Sequence, residues 1–147
     1  GMHPLLPLEL DMAVNRPADM NFTHALAYVY LFLAHHGDRE GITDPEIKAI
    51  CMRIGEWNAQ FVSSGAENAE KTMREVKDTY AYFHDLTREE ERSELAMHVI
   101  VLGQVVENEG QKRAVIMDMI TIAAADGNIS EVEKSLIALV HEMLGLK

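Results

Sequence analysis

The sequence predicts an all-α domain, a bundle of about six main helices built on two pseudo-symmetric helical hairpins. Three observations carry this. Apolar residues recur at spacings of three and four along most of the chain, the period of a helix with one buried face. No stretch alternates with period two for long enough to form a strand. Residues 28–57 and 116–145 also share one plan: a buried helix, a short Gly/Asp loop, a capping signal and an amphipathic helix. Two copies of such a plan indicate an internal duplication rather than a solenoid array.

The elements follow in order. Residues 1–18 hold three of the four prolines (Pro4, Pro7 and Pro17) and read as an extended N-terminal arm. Leu5, Leu6, Leu8 and Leu10 make that arm too apolar for a free tail, so it is expected to cover a groove on its own domain. The alternative is an arm exchanged in a homodimer. Residues 19–147 form the helical domain. From Asn21 to Ala34 the chain is apolar on every side, as a buried central helix must be. Gly37 then suits a C-cap. Ile47, Ile50, Cys51, Ile54, Trp57 and Phe61 mark an amphipathic helix, and Ser63–Gly65 a break. Ala69, Met73, Val76, Tyr80 and Phe83 form the next stripe, with Glu67/Lys71 and Glu70/Arg74 as i,i+4 pairs on its wet face. The acidic block around Glu89–Glu91 and Glu94 opens a further helix as a solvated face suited to the helix dipole. That helix carries Leu95, Val99, Leu102 and Val106, and Gly110 ends or bends it. Ala114–Ala125 is a second nearly all-apolar helix, broken only by Asp118 and Thr121. Val132, Leu136, Leu139, Val140 and Met143 form the last stripe.

Helix starts are legible as capping boxes, in which a hydroxyl accepts from the N3 amide and a glutamate reaches back to the N-cap amide. Thr43/Glu46, Ser64/Glu67, Thr87/Glu90 and Ser130/Glu133 all fit. The first and last are related by the repeat: Ile129–Glu133 falls on Ile42–Glu46 at a constant offset of 87.

At 147 residues the chain is about one domain long. It is large enough to bury roughly two thirds of its unfolded surface without staples. The single cysteine, Cys51, allows no internal disulfide and fits a reducing compartment, so the expected location is the cytoplasm. A formal net charge of −11 argues against nucleic acid and against docking on anionic lipid. No apolar run approaches the ~20 residues of a membrane span, and Gly1–Met20 has no basic segment of a signal peptide.

The second loop, AAADGNISEVEKSLIALVHEMLG, resembles the tellurite-resistance TerB family, and YLFLAHHGDREGITDPEIKAI resembles a diverged first copy of the same motif. The resemblance spans roughly residues 22–146. It implies an all-helical bundle of two pseudo-symmetric hairpins, a link to stress response, and acidic loop residues proposed to bind metal. By position those acids are Asp126 and Glu133, with Asp38 and Glu46 as their counterparts in the first loop.

Two readings of these four acids stay open. DGNISEVE matches the back half of an EF-hand loop, but Ile122 and Ala124 stand where the first two oxygen ligands belong, and the first loop has Gly37 and Arg39 at ligand positions and Glu40 where glycine is needed, so neither loop is an EF-hand. If the loops meet at one end of the bundle, Asp38, Glu46, Asp126 and Glu133 converge as a site for a divalent cation, calcium or magnesium. Otherwise Glu46 and Glu133 only close capping boxes, and the aspartates only close turns. Other chemistry is thinner. His141-Glu142 lacks the second histidine of a zincin, since Gly145 stands there. His84-Asp85, with His35 or His36 and with Asp118 or Asp126, supplies the residue types of a helical HD-type phosphohydrolase. The sequence therefore leads to a non-catalytic interaction module with protein partners and an optional cation site. A metal-dependent phosphohydrolase and a purely structural scaffold are the alternatives.

Overall fold

The computed structural model describes residues 14, 16–17, 20–37, 41–61 and 65–146, the side chains of Phe61 and Ala66 excepted. The arm over residues 1–18 therefore lies outside the described residues, apart from Val14, Arg16 and Pro17, and so does Asp38. Six α-helices run through the described residues: α1 Phe22–Gly37, α2 Asp44–Phe61, α3 Ala66–His84, α4 Arg88–Val105, α5 Glu109–Ala123 and α6 Glu131–Met143. A single 3₁₀ turn, Ala124–Asp126, links α5 to α6. No described residue is in a strand, and among the described residues no helix is long and apolar enough to cross a membrane.

The all-round apolarity of α1 is explained by its position. It packs against each of the other five helices, and every residue from Thr23 to Ala34 is buried. Each large aliphatic or aromatic side chain so placed contributes about 1.5–3 kcal/mol of transfer free energy. Asn21 caps the helix, its Oδ1 accepting from the amides of Thr23 at 2.9 Å and His24 at 3.2 Å. Around α1 the other helices form a shell, so their stripes are narrower than that of α1.

Two of those stripes differ from expectation. On α3, Met73 and Tyr80 are 63% and 40% exposed. The buried face instead runs through Thr72, Glu75, Val76, Thr79, Tyr82 and Phe83. The polar members of that face are satisfied in place. The Glu75 carboxylate accepts from Asn21 Nδ2 (2.9 Å), Thr23 Oγ1 (2.7 Å), Asn58 Nδ2 (2.9 Å) and Lys71 Nζ (2.8 Å). Lys71 thus pairs with Glu75, one helical turn on. On α6, Val132, Leu139 and Met143 are exposed, while Glu133, Val140 and Leu144 are buried.

The acidic start of α4 is solvated only in part: Glu89 is exposed. Glu91 and Glu94 are buried. Arg16 Nε and Nη2 both donate to Glu94 at 2.6 Å, a bidentate fork that fits a carboxylate well. This ties at least that residue of the arm to its own chain. Tyr82 donates its hydroxyl hydrogen to Glu94 as well, which leaves the Tyr82 oxygen to accept from buried His98 Nε2 at 3.0 Å.

The boundaries shift for local reasons. Gly65, at φ +99°, is the N-cap of α3, so Ser64, outside the described residues, is not the capping residue expected there. Asn108 caps α5 by accepting from the amide of Gln111 at 2.7 Å, so α5 begins at Glu109 and Gly110 sits within its first turn. Asp118, the odd carboxylate of α5, is buried and accepts from Tyr30 Oη at 2.7 Å and Trp57 Nε1 at 2.8 Å, with Arg53 at 3.6 Å. It binds α1, α2 and α5 together. Tyr30→Phe removes one of its two buried donors and should cost about 1–3 kcal/mol in urea denaturation. An unchanged midpoint would show that the bond contributes nothing.

Candidate cation site at the crossed hairpin loops

The duplicated hairpins are α1–α2 and α5–α6. Each turn uses one glycine in the left-handed region, Gly41 at φ +82° and Gly127 at φ +99°, where a Cβ would be strained. Gly41 stands two residues before its N-cap Thr43, and Gly127 three before Ser130, so the loops differ while the caps correspond.

Both caps are complete capping boxes. The amide of Thr43 donates to Glu46 Oε1 at 2.9 Å, and the Glu46 amide to Thr43 Oγ1 at 3.3 Å. Ser130 and Glu133 repeat the pattern at 2.8 and 3.1 Å. Thr87 and Glu90 make the same box on α4, which faces solvent. At the duplicated caps the glutamates are inside: Glu46 is 0% exposed and Glu133 2%.

They are buried because each hairpin turn covers the cap of the other. Ser130 Oγ donates to the carbonyl of Gly37 at 2.8 Å, and the Glu133 side chain crosses directly over Gly37. A Cβ on Gly37 would lie 2.1 Å from Glu133 Cγ. Reciprocally, the 3₁₀ turn Ala124–Asp126 packs on α2. Gly37 is accordingly not a left-handed C-cap glycine, as expected from the sequence; it is the last helical residue and is small because Glu133 needs the space.

The two loops therefore lie at a common end of the bundle, and three of the four sequence-selected acids can be placed. Glu46 and Glu133 are buried there. Asp126 is exposed and uses Oδ1 to accept from the Asn128 amide at 3.2 Å, a turn of the kind aspartate favours. Asp38 lies outside the described residues. Burial pushes the Glu46 carboxyl above the usual carboxylate range; hydrogen bonds from Thr43 oppose this, and the charges of Asp126 and Glu133 add to the rise. Glu46 Oε1 is occupied by the cap, whereas its Oε2 is buried with no hydrogen-bond partner among the described residues. Such an oxygen is a poor resting state for a carboxylate and a good acceptor for a cation or a proton.

The sign of this frustration is testable. A carboxyl whose folded-state pKa is raised destabilises the fold at pH values above that pKa, and the penalty is relieved as pH falls through it. Glu46→Gln keeps an oxygen for the cap and removes the charge. It should raise the melting temperature of chelator-stripped protein at neutral pH; a fall would show that the charge is not frustrated.

The phosphohydrolase residues are placed differently. His84 and Asp85 approach to 4.0 Å, but their side chains are 72% and 77% exposed at the end of α3. Asp118 is engaged in the core, as described above. Cys51 is half-buried, and burial pushes its thiol up, away from a reactive thiolate. Sequence reasoning missed one constellation altogether: His36, at the end of α1, meets Glu91 of α4 at 2.7 Å. Periodicity gave no signal for that pair, because Glu91 looked like one more acid in a solvent-facing block.

An all-helical bundle with a duplicated hairpin is the fold that the sequence resemblance implied. The family model described as "Tellurite resistance protein TerB" matches residues 42–147, more than two thirds of the chain, and the chain belongs to that family. The match opens at Ile42 inside the first hairpin turn, so α1, with its His35-His36 ending, precedes it. No curated protein and no solved structure matches the chain.

Proposed function

We propose that the protein acts in the cytoplasm without catalysis, as a stress-response interaction module of the tellurite-resistance kind, and that its crossed loops bind a hard divalent cation, calcium or magnesium. The observation that carries the cation is Glu46. Its Oε2 is buried without a hydrogen-bond partner among the described residues, and the charges of Asp126 and Glu133 bear on it. A dication supplies the missing partner and relieves the mutual repulsion at once. Glu46, Asp126 and Glu133 are its ligands in this reading, with Asp38 the fourth by repeat position. The capping oxygens stay with the backbone, so water completes the shell, as it often does for magnesium. A net charge of −11 favours cations and basic protein surfaces as partners and disfavours nucleic acid.

Adding calcium or magnesium to chelator-stripped protein should raise its melting temperature, as any ligand of the native state does. Glu46→Gln and Asp126→Asn should each abolish the rise. If neither ion moves the melting point, the purely structural reading stands: the glutamates are stitches in a scaffold that binds its partners without metal. The phosphohydrolase alternative predicts metal-dependent phosphoester turnover lost in His84→Ala. The exposure of His84 and Asp85 disfavours it, since metal ligands are held in place by packing and outer-shell hydrogen bonds.

A further inference from the structure

We propose that His35, His36 and Glu91 form a second metal site, for a borderline transition ion such as zinc, at the C-terminal end of α1. The ligand atoms of these three residues lie within 4.8 Å of one another. Two neutral imidazoles and a carboxylate are a donor set zinc accepts, and three protein ligands leave a fourth position open. A tetrahedral zinc spaces its donors by about 3.4 Å, given bonds of about 2.0–2.2 Å. His36 and Glu91, now 2.7 Å apart, must open slightly, and the wider separations, none above 4.8 Å, must close.

The surroundings favour the assignment. Glu91 is buried, so its charge acts at low dielectric. The last turn of α1 presents the negative end of its dipole to this point. The rings are held by aromatic neighbours, His36 against Phe32 at 4.4 Å and His35 against Phe83 at 5.3 Å between centroids. A cavity of about 330 Å³, lined by Phe32, His36, Glu91 and Leu136 among others, adjoins the site and leaves room for the fourth ligand. Arg88 and Arg92 share that wall, and their charge keeps the site out of the tight structural-zinc class.

The site is distinct from the crossed loops in its ligands and in the ion it selects. Soft and borderline ions go to imidazole, calcium and magnesium to oxygen alone. Titration calorimetry with zinc, and the visible absorption of cobalt as a coordination probe, test it on the chelator-stripped chain. One equivalent of zinc should bind, with cobalt giving an intense tetrahedral spectrum. His35→Ala and His36→Ala should each weaken binding by more than about tenfold, the loss that even an outer-shell change can produce. Glu46→Gln should leave it unchanged. His35 is exposed, so His35→Ala should keep the fold, and its melting curve verifies this. Absence of binding, or zinc affinity equal in wild type and both histidine variants, would overturn the site and assign any uptake to scattered surface histidines.

Discussion

Gly37→Ala should destabilise the protein by about 2–4 kcal/mol, far more than alanine costs at an ordinary helix end. Alanine is normally the better helix former by about 1 kcal/mol. Here its Cβ would stand 2.1 Å from Glu133 Cγ, 2.7 Å from Cδ and 2.8 Å from Oε2. Something must move, and what moves is the capping side chain of α6 or the end of α1. Overpacking typically costs about 1–3 kcal/mol, and loss of the Ser130/Glu133 cap adds about 1 kcal/mol. The same displacement would break the bond from Ser130 Oγ to the Gly37 carbonyl. A double-mutant cycle isolates the contact: Gly37→Ala with Glu133→Ala should be less harmful than the two single losses together, by about 1–2 kcal/mol. Urea denaturation of the four proteins measures this. Strict additivity would mean that Glu133 does not lie over Gly37.

Glu75→Ala should cost about 3–5 kcal/mol, as breaking one side of a buried ion pair does. It would leave Lys71 with only Asn58 Oδ1 at 3.3 Å as acceptor and remove the shared acceptor of Asn21, Thr23 and Asn58, which joins α1, α2 and α3. Glu75→Gln should fall between, since the amide keeps an acceptor but turns a donor toward other donors. The pH dependence carries the same signature. Burial pushes the Glu75 carboxyl up, but the donors Lys71, Asn58, Asn21 and Thr23 outweigh it and hold it at about 2. A depressed carboxylate contributes stability that is fully present above its unfolded pKa, about 4.3, and is lost as pH falls toward 2. His98 acts in an earlier window. Burial, then the charges of Arg16 and His24, lower it to about 3, so its contribution is present above about 6.5 and declines as pH falls toward 3. Wild-type stability should therefore fall first below about pH 6.5 and more steeply below about 4.3. Glu75→Ala should retain the first decline and lose much of the second.

The sequence was most informative where one physical requirement acted alone. The all-round apolarity of α1 could mean only a central helix, and capping boxes at Thr43, Thr87 and Ser130 marked their helix starts without ambiguity. It was least informative where tertiary contacts recruited polar residues. Nothing local distinguishes Glu75 from Glu70, or Glu91 from Glu89. The buried member of each pair is chosen by Asn21, Thr23 and Asn58 at Glu75, and by His36 at Glu91, all arriving from elsewhere in the chain. Exposed apolar residues misled in the opposite direction: Met73, Tyr80 and Leu139 keep helical spacing but lie exposed on the outer shell of the bundle. At the candidate site, the repeat paired Glu46 with Glu133 as capping-box glutamates, and both boxes form. That the glutamates would be fully buried depended on the crossing of the loops, which no spacing encodes.

The most direct test follows the side-chain carboxyl carbon of Glu46 by NMR while calcium is added to chelator-stripped protein. Saturable movement of Glu46 together with Glu133 and Asp126, abolished in Asp126→Asn, is the predicted result. If all three resonances stay still, or drift no more than exposed Glu131 does, the crossed loops do not gather a cation and that reading of this TerB protein is wrong.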